Sequence, residues 1–215
     1  GTMLHTARRL VEYGVPLAGV NLGRLGFLTD IALNDAQRGL GEIIEGRYTE
    51  ESRFMLDAEV LRGGTRVFHT LALNDVVVRN GCMRMMEFNV RADGQGLAQF
   101  RADGLIVSTP TGSTAYSLAA GGPIIHPAAD VITITPVAPQ HLHDRPFVLP
   151  ASTLISMTFQ KKEHSVIVSM DGQRQIYVNG EDEILIRKSD RTANLIRLKN
   201  SSVYDRIRKK LFYEE

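Results

Sequence analysis

Between Asp103 and Pro127 the chain reads DGLIVSTPTGSTAYSLAAGGPIIHP, an unbroken run of residue types suited to holding phosphate. An Asp-Gly turn leads into the short apolar stretch Leu105 to Ser108. The hydroxyl-rich loop Thr109-Pro-Thr-Gly-Ser-Thr follows, a helix is predicted over Thr114 to Ala120, and Gly121, Gly122 and Pro123 end it. Small side chains leave backbone N–H groups accessible, and a helix start adds unpaired amides and a partial positive charge. A phosphate or a ribose hydroxyl can be held there with no cationic side chain. No lysine occurs before Lys161. A Walker loop needs its lysine on the transferred phosphates, and the protein-kinase pattern needs a strand lysine, so neither class fits. Phosphate chemistry falls to backbone amides, arginines, carboxylates or a metal.

Other reactive residue types lack the company that would make them reactive. His141 and His143 flank a single leucine but have no third ligand nearby, so they read as surface residues rather than a metal pair. Cys82 is the single cysteine, which rules out an intrachain disulfide and is compatible with a reducing cytoplasm. Ser113 sits in T-G-S-T rather than a G-x-S-x-G elbow, and hydrolase chemistry is set aside.

The elements that must position the phosphate segment fall into two regimes. Over the first 50 residues the period is helical. Met3, Leu4, Ala7, Leu10 and Val11 share a face, Gly14 stands where a C-cap glycine belongs, Val15 to Asn21 reads as a strand, and a second helix is expected near Asp35 to Glu45. From Ser52 the period becomes two. Segments 54–61, 66–79, 86–92, 97–101, 105–108, 131–135, 153–160, 165–170, 174–178, 183–188 and 194–198 are predicted strands, separated by turn pairs such as Asp93-Gly94 and Asn179-Gly180. The fold expected is α/β plus β: a truncated Rossmann-like α/β domain over 1–50, a β-sandwich-like domain over 51–190, and a segment 191–215 whose helix returns to the first domain. Ser202 to Asp205 matches a capping box opening that helix, with Val203, Ile207 and Leu211 as its apolar stripe. Its cluster Arg206, Arg208, Lys209 and Lys210 reads as a solvated helix face.

The whole-chain numbers set limits on partners. With 215 residues, 43% of them hydrophobic, the chain can bury a sizeable core. Twenty-five basic against 24 acidic residues leave a net charge of +1, which argues against a dedicated nucleic-acid binder. No signal peptide or membrane span is read from the sequence, so a soluble, cytoplasmic protein is expected.

Four segments together resemble the NAD kinases over essentially the whole chain: Gly1-Thr-Met-Leu, Asn21-Leu-Gly-Arg-Leu-Gly-Phe-Leu-Thr-Asp30, Leu73-Asn-Asp75 and Asp103 to Pro127. The resemblance implies phosphorylation of the 2′-hydroxyl of the adenosine ribose of NAD, with ATP or polyphosphate as donor and magnesium or another divalent metal on the phosphates. It also implies a homodimer or homotetramer. In that family a GGDG motif carries the catalytic base on its aspartate. Gly1 matches only the last glycine, so the chain is read as truncated before it, with no catalytic or metal-ligating residue of its own, and is expected to be a poor catalyst. The NAD-binding positions implied are Gly1, Phe27, Asn74, Asp75, Arg84, Arg101, Asp103, Thr111, Thr114, Ala115, Tyr116, Ser117 and Gln173. Among them Asn74 and Asp75 would hold the nicotinamide ribose hydroxyls, Asp103 would reach the nicotinamide end from a neighbouring subunit, Arg84 and Arg101 suit the pyrophosphate, and Phe27 suits the adenine. The same residues would serve a catalytically silent NAD(P)-binding regulatory relative. Diacylglycerol-type lipid kinases share the fold and a glycine motif, and Asn74-Asp75 with Thr114-Ala-Tyr count against them.

Overall fold

The structure is a computed structural model that describes residues 1–22, 26–82, 84–160, 166–198 and 202–211. Gly23, Arg24 and Leu25 of the Asn21 to Asp30 motif, residue 165 of a predicted strand and the Lys209 side chain lie outside the described residues. Two compact units are present, Gly1–Arg53 with Thr192–Glu215, and Phe54–Arg191.

The first unit opens with helix α1 (Thr2–Leu10), which buries Ala7 and runs into a 3-10 turn closed by Gly14 at φ +62°. An L side chain rarely takes that backbone shape, which is why glycine stands there. Strands β1 (Val20–Asn21) and β2 (Ile31–Ala32) pair in parallel, and helix α2 (Ala36–Ile44) follows. The strand expected from Val15 is thus only two residues long. The backbone of Leu17 is claimed elsewhere, donating to the Asn194 carbonyl and accepting from the Ile196 amide at 2.8 Å each.

The second unit is built from antiparallel ladders. In chain order the strands are β3 (Tyr48–Arg62), β4 (Thr65–Ala72), β5 (Asp75–Asn80), β6 (Met86–Ala92), β7 (Gln95–Ala102) and β8 (Gly104–Ser108). The short helix α3 (Tyr116–Ala119) precedes β9 (Val131–Val137), β10 (Phe147–Pro150), β11 (Ile155–Phe159), β12 (Val166–Met170), β13 (Arg174–Val178) and β14 (Asp182–Leu198). Residues 48–53 of β3 and 192–198 of β14 belong to the first unit. The strands form two six-stranded sheets, ordered β10-β9-β8-β5-β12-β13 and β4-β3-β14-β11-β6-β7. Alternate residues of both sheets meet in one apolar core: Val76, Val78, Leu105, Ile134 and Val168 from one, Leu56, Val60, Phe88, Met157 and Ile184 from the other. Phe100 ties the two layers, lying 5.8 Å from the Phe88 ring and edge-on to Phe147 at 6.3 Å. The β-sandwich expected from the period-two pattern is present.

Three local expectations are corrected. Segment 66–79 is two strands in different sheets, broken at Leu73 and Asn74, whose amides donate to the Asp171 carboxylate instead of a ladder. Segments 183–188 and 194–198 are one strand, β14, of 17 residues. Asp103-Gly104 is not a turn but the entry to β8, where a Cβ on Gly104 would stand 2.6 Å from the Val78 carbonyl oxygen.

The last helix, α4 (Val203–Leu211), is capped by the Ser202 hydroxyl, which accepts the Tyr204 amide at 3.2 Å. Its Arg206 is buried, contrary to the solvated face expected for the basic cluster. The reason is a charge cluster within the first unit. Arg197 donates to Glu51 at 2.6 Å and to Asp30 at 2.8 Å, and Arg206 lies 3.6 Å from each of these carboxylates. Arg53 pairs with Glu51 at 2.7 Å. Burial alone would raise the Glu51 carboxyl, but hydrogen bonds from Arg197 and Arg53 outweigh it and hold it below the usual range. Asp30 is the more enclosed acid, its side chain 3% exposed. Asp30→Ala leaves Arg197 and Arg206 without that counter-charge, and a loss of about 3 kcal/mol is expected, read as a fall in the urea midpoint at unchanged slope.

Candidate functional site

The second unit gathers the phosphate segment and the Asn74-Asp75 pair at one end of its first sheet. Strand β5 runs antiparallel to both β8 and β12, with Asp75 opposite Ser108 and Val76 opposite Met170. The start of β5 therefore lies beside the ends of β8 and β12. What leaves those ends, the Thr109 to Ala115 loop and the turn at Asp171, meets residues 73–75.

The loop is fastened to that strand start by its own hydroxyls. The Thr109 side chain donates to the Leu73 carbonyl at 2.6 Å and accepts the Gly112 amide at 3.1 Å, while the Thr109 amide donates to the Asn74 carbonyl at 2.9 Å. Gly112 lies so close that a Cβ there would be 2.0 Å from the Asn74 oxygen. Ser113 donates to the Pro110 carbonyl at 2.7 Å and accepts the Ile125 amide at 3.0 Å. Thr114 donates to the Thr111 carbonyl at 3.2 Å, and Ser117 pairs with Thr135 at 3.0 Å. These hydroxyls build the loop.

The helix expected over Thr114 to Ala120 is reduced to α3, preceded by a 3-10 turn over Gly112–Thr114. Ala115, at φ −102° and ψ −128°, interrupts the two. A four-residue helix sums few peptide dipoles, so the argument from a helix N-terminus falls away. The loop's role passes to the shape it gives the adjoining cavity.

That cavity encloses about 460 Å³. It is lined by Asn74 just ahead of β5, by Asp75 and Arg79 on that strand, by Ala115 from the loop and Tyr116 from the start of α3, and by Ser169, Asp171 and Gln175 from the β12 to β13 hairpin. Two carboxylates share one wall. Asp171, at φ +54°, accepts the amides of Leu73 at 3.0 Å, Asn74 at 2.7 Å and Asp75 at 3.3 Å. Burial, and after it the Asp171 charge, push the Asp75 carboxyl up to about 7. Asp75 thus titrates near neutrality in a cavity that also presents a half-exposed tyrosine ring, an amide and a guanidinium. Such a set can grip a vicinal diol, stack a flat ring and face an anion.

Of the implied NAD-binding residues, Asn74, Asp75, Ala115 and Tyr116 line this cavity together. Thr111 and Thr114 belong to the loop and Ser117 to α3; none of the three lines the cavity, and Thr111 and Ser117 are buried. Gln173 lies in the hairpin turn, its amide donating to the Met170 carbonyl at 3.0 Å, while Gln175 reaches the cavity. Arg84, Arg101 and Asp103 are exposed outside it, Arg101 lying 3.8 Å from Glu87. Gly1 and Phe27 belong to the first unit, where the Phe27 carbonyl accepts from Arg197 at 3.3 Å. Sequence reasoning missed Asp171, Ser169, Gln175 and Arg79. The Asp171-Gly172 pair was the visible signal for the first, and the other three carry none.

The model of the ATP-NAD kinase N-terminal domain matches residues 1–48, and that of the ATP-NAD kinase C-terminal domain matches residues 73–198. An NAD kinase of Azoarcus is 50% identical over 214 residues, covering 99% of this chain and 72% of the relative. One of Magnetococcus marinus is 45% identical over 216 residues, covering 100% and 71%. Among solved structures, yeast NADH kinase complexed with NADH superposes with a TM-score of 0.89 at 29% identity, over 100% of this chain and 64% of that one. An Archaeoglobus fulgidus NAD kinase in complex with ATP gives 0.76 at 29% identity, over 89% and 72%. Matched by both domain models and by relatives along nearly all of its length, and with the Asn-Asp pair and the glycine-rich loop drawn together at one sheet end, this chain belongs to the NAD kinase family.

Proposed function

We propose that this chain is the NAD-binding body of an enzyme that phosphorylates the 2′-hydroxyl of the adenosine ribose of NAD with ATP or polyphosphate, forming NADP. The observation carrying this reading is the cavity wall that joins Asn74 and Asp75 to Ala115 and Tyr116. Asn74 donates to and accepts from one ribose diol, Asp75 accepts from it, and Tyr116 lies against a ring. The NADH and ATP complexes of the structural neighbours support a dinucleotide acceptor and ATP as donor. In the proposed reaction a carboxylate takes the proton of the 2′-hydroxyl, that oxygen attacks the terminal phosphorus of ATP, and the bond to ADP breaks. The family's GGDG motif, whose last glycine Gly1 matches, assigns the base to the aspartate before it.

Magnesium would neutralise charge on the donor phosphates. Among the described residues the His-carboxylate cluster with metal-like spacing is Asp57, Glu59 and His69. It lies on β3 and β4, away from the cavity lining, and Glu59 is already paired with Arg66 and Arg187 at 3.3 Å each. We place the metal on the donor phosphates. Asp103 contacting the nicotinamide end across a homodimer or homotetramer interface, and a cytoplasmic setting, complete the proposal.

The test is NADP formation from NAD, ATP and magnesium by this chain and by a version carrying Gly-Gly-Asp and a preceding strand ahead of Gly1. The extended chain is expected to turn over, and its Asn74→Ala variant to show a KM for NAD raised about 10- to 100-fold, the cost of an unpaired ribose hydroxyl. NAD binding without turnover by the extended chain would favour the silent regulatory relative instead.

A further inference from the structure

We infer that Asp171 is a positioning residue for the dinucleotide site: its carboxylate clamps the strand start that presents Asn74 and Asp75 to the cavity. The inference rests on the cavity being the ribose site proposed above, and it assigns a role to a residue that the motif-based reading passes over.

Residues 73–75 stand where the chain leaves one sheet and enters the other, so a ladder cannot hold all of their amides. Asp171 accepts three of them in succession, from Leu73, Asn74 and Asp75. A carboxylate taking three backbone N–H groups behaves as a small anion bound by consecutive amides, and each bond is charge-assisted. The link runs both ways, for the Asp171 amide donates to the Asp75 carbonyl at 3.0 Å. Asp171 is 8% exposed. Its left-handed backbone, followed by Gly172 at φ +65°, is the shape that turns the side chain back across β5. A non-glycine residue held there costs free energy that the three amide bonds offset. On the other side Thr109 takes the Leu73 and Asn74 carbonyls, so both edges of this dipeptide are fixed.

The clamp places a second negative charge beside Asp75. Among the described residues, the titratable or charged groups that line the cavity with Asp75 are Asp171 from the β12 to β13 turn, Arg79 from its own strand and Tyr116 from the start of α3. Asp171 adds to the burial that holds Asp75 up near 7. Dinucleotide binding through an ionised Asp75 should therefore improve as pH rises through that value, and the midpoint should depend on Asp171.

The experiment is calorimetric titration of NAD into the chain and its Asp171→Asn variant from pH 5 to pH 9. Asparagine tolerates the left-handed backbone but cannot accept three amides as an anion. At pH 8 the variant is expected to bind NAD about tenfold more weakly. Its binding midpoint should move at least about one pH unit lower, because the like charge beside Asp75 is gone. A substitution that merely loosened the fold would weaken binding without moving that midpoint, and amide exchange reads the clamp itself. In the unaltered chain, hydrogen exchange should show the Leu73 and Asn74 amides protected as strongly as those within β5. Unchanged affinity and midpoint in a folded variant overturn the inference, and so does loop-rate exchange at these amides. If the unaltered chain fails to bind NAD, the ribose-site reading falls on its own, and exchange at residues 73–75 still decides whether the clamp exists.

Discussion

Replacing Gly112 with alanine is expected to cost about 4 kcal/mol of stability and to abolish measurable NAD binding. The added Cβ would stand 2.0 Å from the Asn74 oxygen, 2.5 Å from its carbonyl carbon and 2.8 Å from its Cα. All three are backbone atoms of a residue held by Thr109 on one side and Asp171 on the other, so no flexible end can swing away. Overpacking usually costs about 1–3 kcal/mol, and a clash against fixed backbone belongs at or beyond the upper end. The damage falls on Asn74 itself, since the Thr109 to Asn74 bond must break to admit the methyl group. Gly121→Ala is the control. Its φ of +86° makes alanine strained, but nothing lies within 4 Å of the added atom, so a loss of only about 1–2 kcal/mol is expected. Urea denaturation of both variants beside calorimetric NAD titration checks the pair. Gly112 has no left-handed φ to explain it, so a loss no larger than that of Gly121→Ala would show that the Asn74 backbone gives way and that close approach does not require glycine there.

Asp75→Asn should stabilise the folded chain at alkaline pH while weakening its grip on NAD. The Asp75 carboxyl is raised in the folded state from 3.8 to about 7, first by burial and then by Asp171. A raised carboxyl binds its proton more tightly folded than unfolded. The stability tied to that proton is full below about pH 4, declines as pH rises through 7, and is absent above it. Keeping Asp75 ionised at pH 8 costs on the order of 4 kcal/mol, taking 1.36 kcal/mol per unit of pKa. The asparagine variant escapes that cost. Its advantage should be near zero at pH 4, grow between pH 5 and 7, and reach about 2–4 kcal/mol at pH 8, the lower figure allowing for an amide that must find new partners. Its affinity for NAD at pH 8 should fall about 10- to 100-fold, a trade of stability for function at a binding site. Denaturation midpoints of both proteins at pH 5, 6, 7 and 8 are the measurement. A pH-independent difference would mean that Asp75 titrates as an ordinary carboxylate.

Legibility followed the range of the interactions. Gly14 was readable as a cap and Asp93-Gly94 as a hairpin turn because both express local backbone preferences, seen in φ values of +62°, +49° and +77°. The length of β14 is not legible in the sequence because Lys188 to Arg191 interrupts the apolar alternation without interrupting the strand. Composition points Arg206 to solvent, yet Asp30 and Glu51, distant in the chain, supply the counter-charges that allow its burial.

By itself the sequence determined the strand-rich second half, the exclusion of lysine-dependent phosphate loops, and the four segments that identify the family, since periodicity, residue type and contiguous motifs all lie along the chain. Only the tertiary structure decided that Asn74, Asp75, Ala115, Tyr116, Asp171 and Gln175 line one cavity, that Asp171 accepts the Asn74 amide, and that burial raises the Asp75 carboxyl to about 7. The physical reason is that strand register and desolvation are non-local. Which residue stands opposite Asp75, and how much water reaches it, depends on β8 and β12, the latter about 90 residues further along.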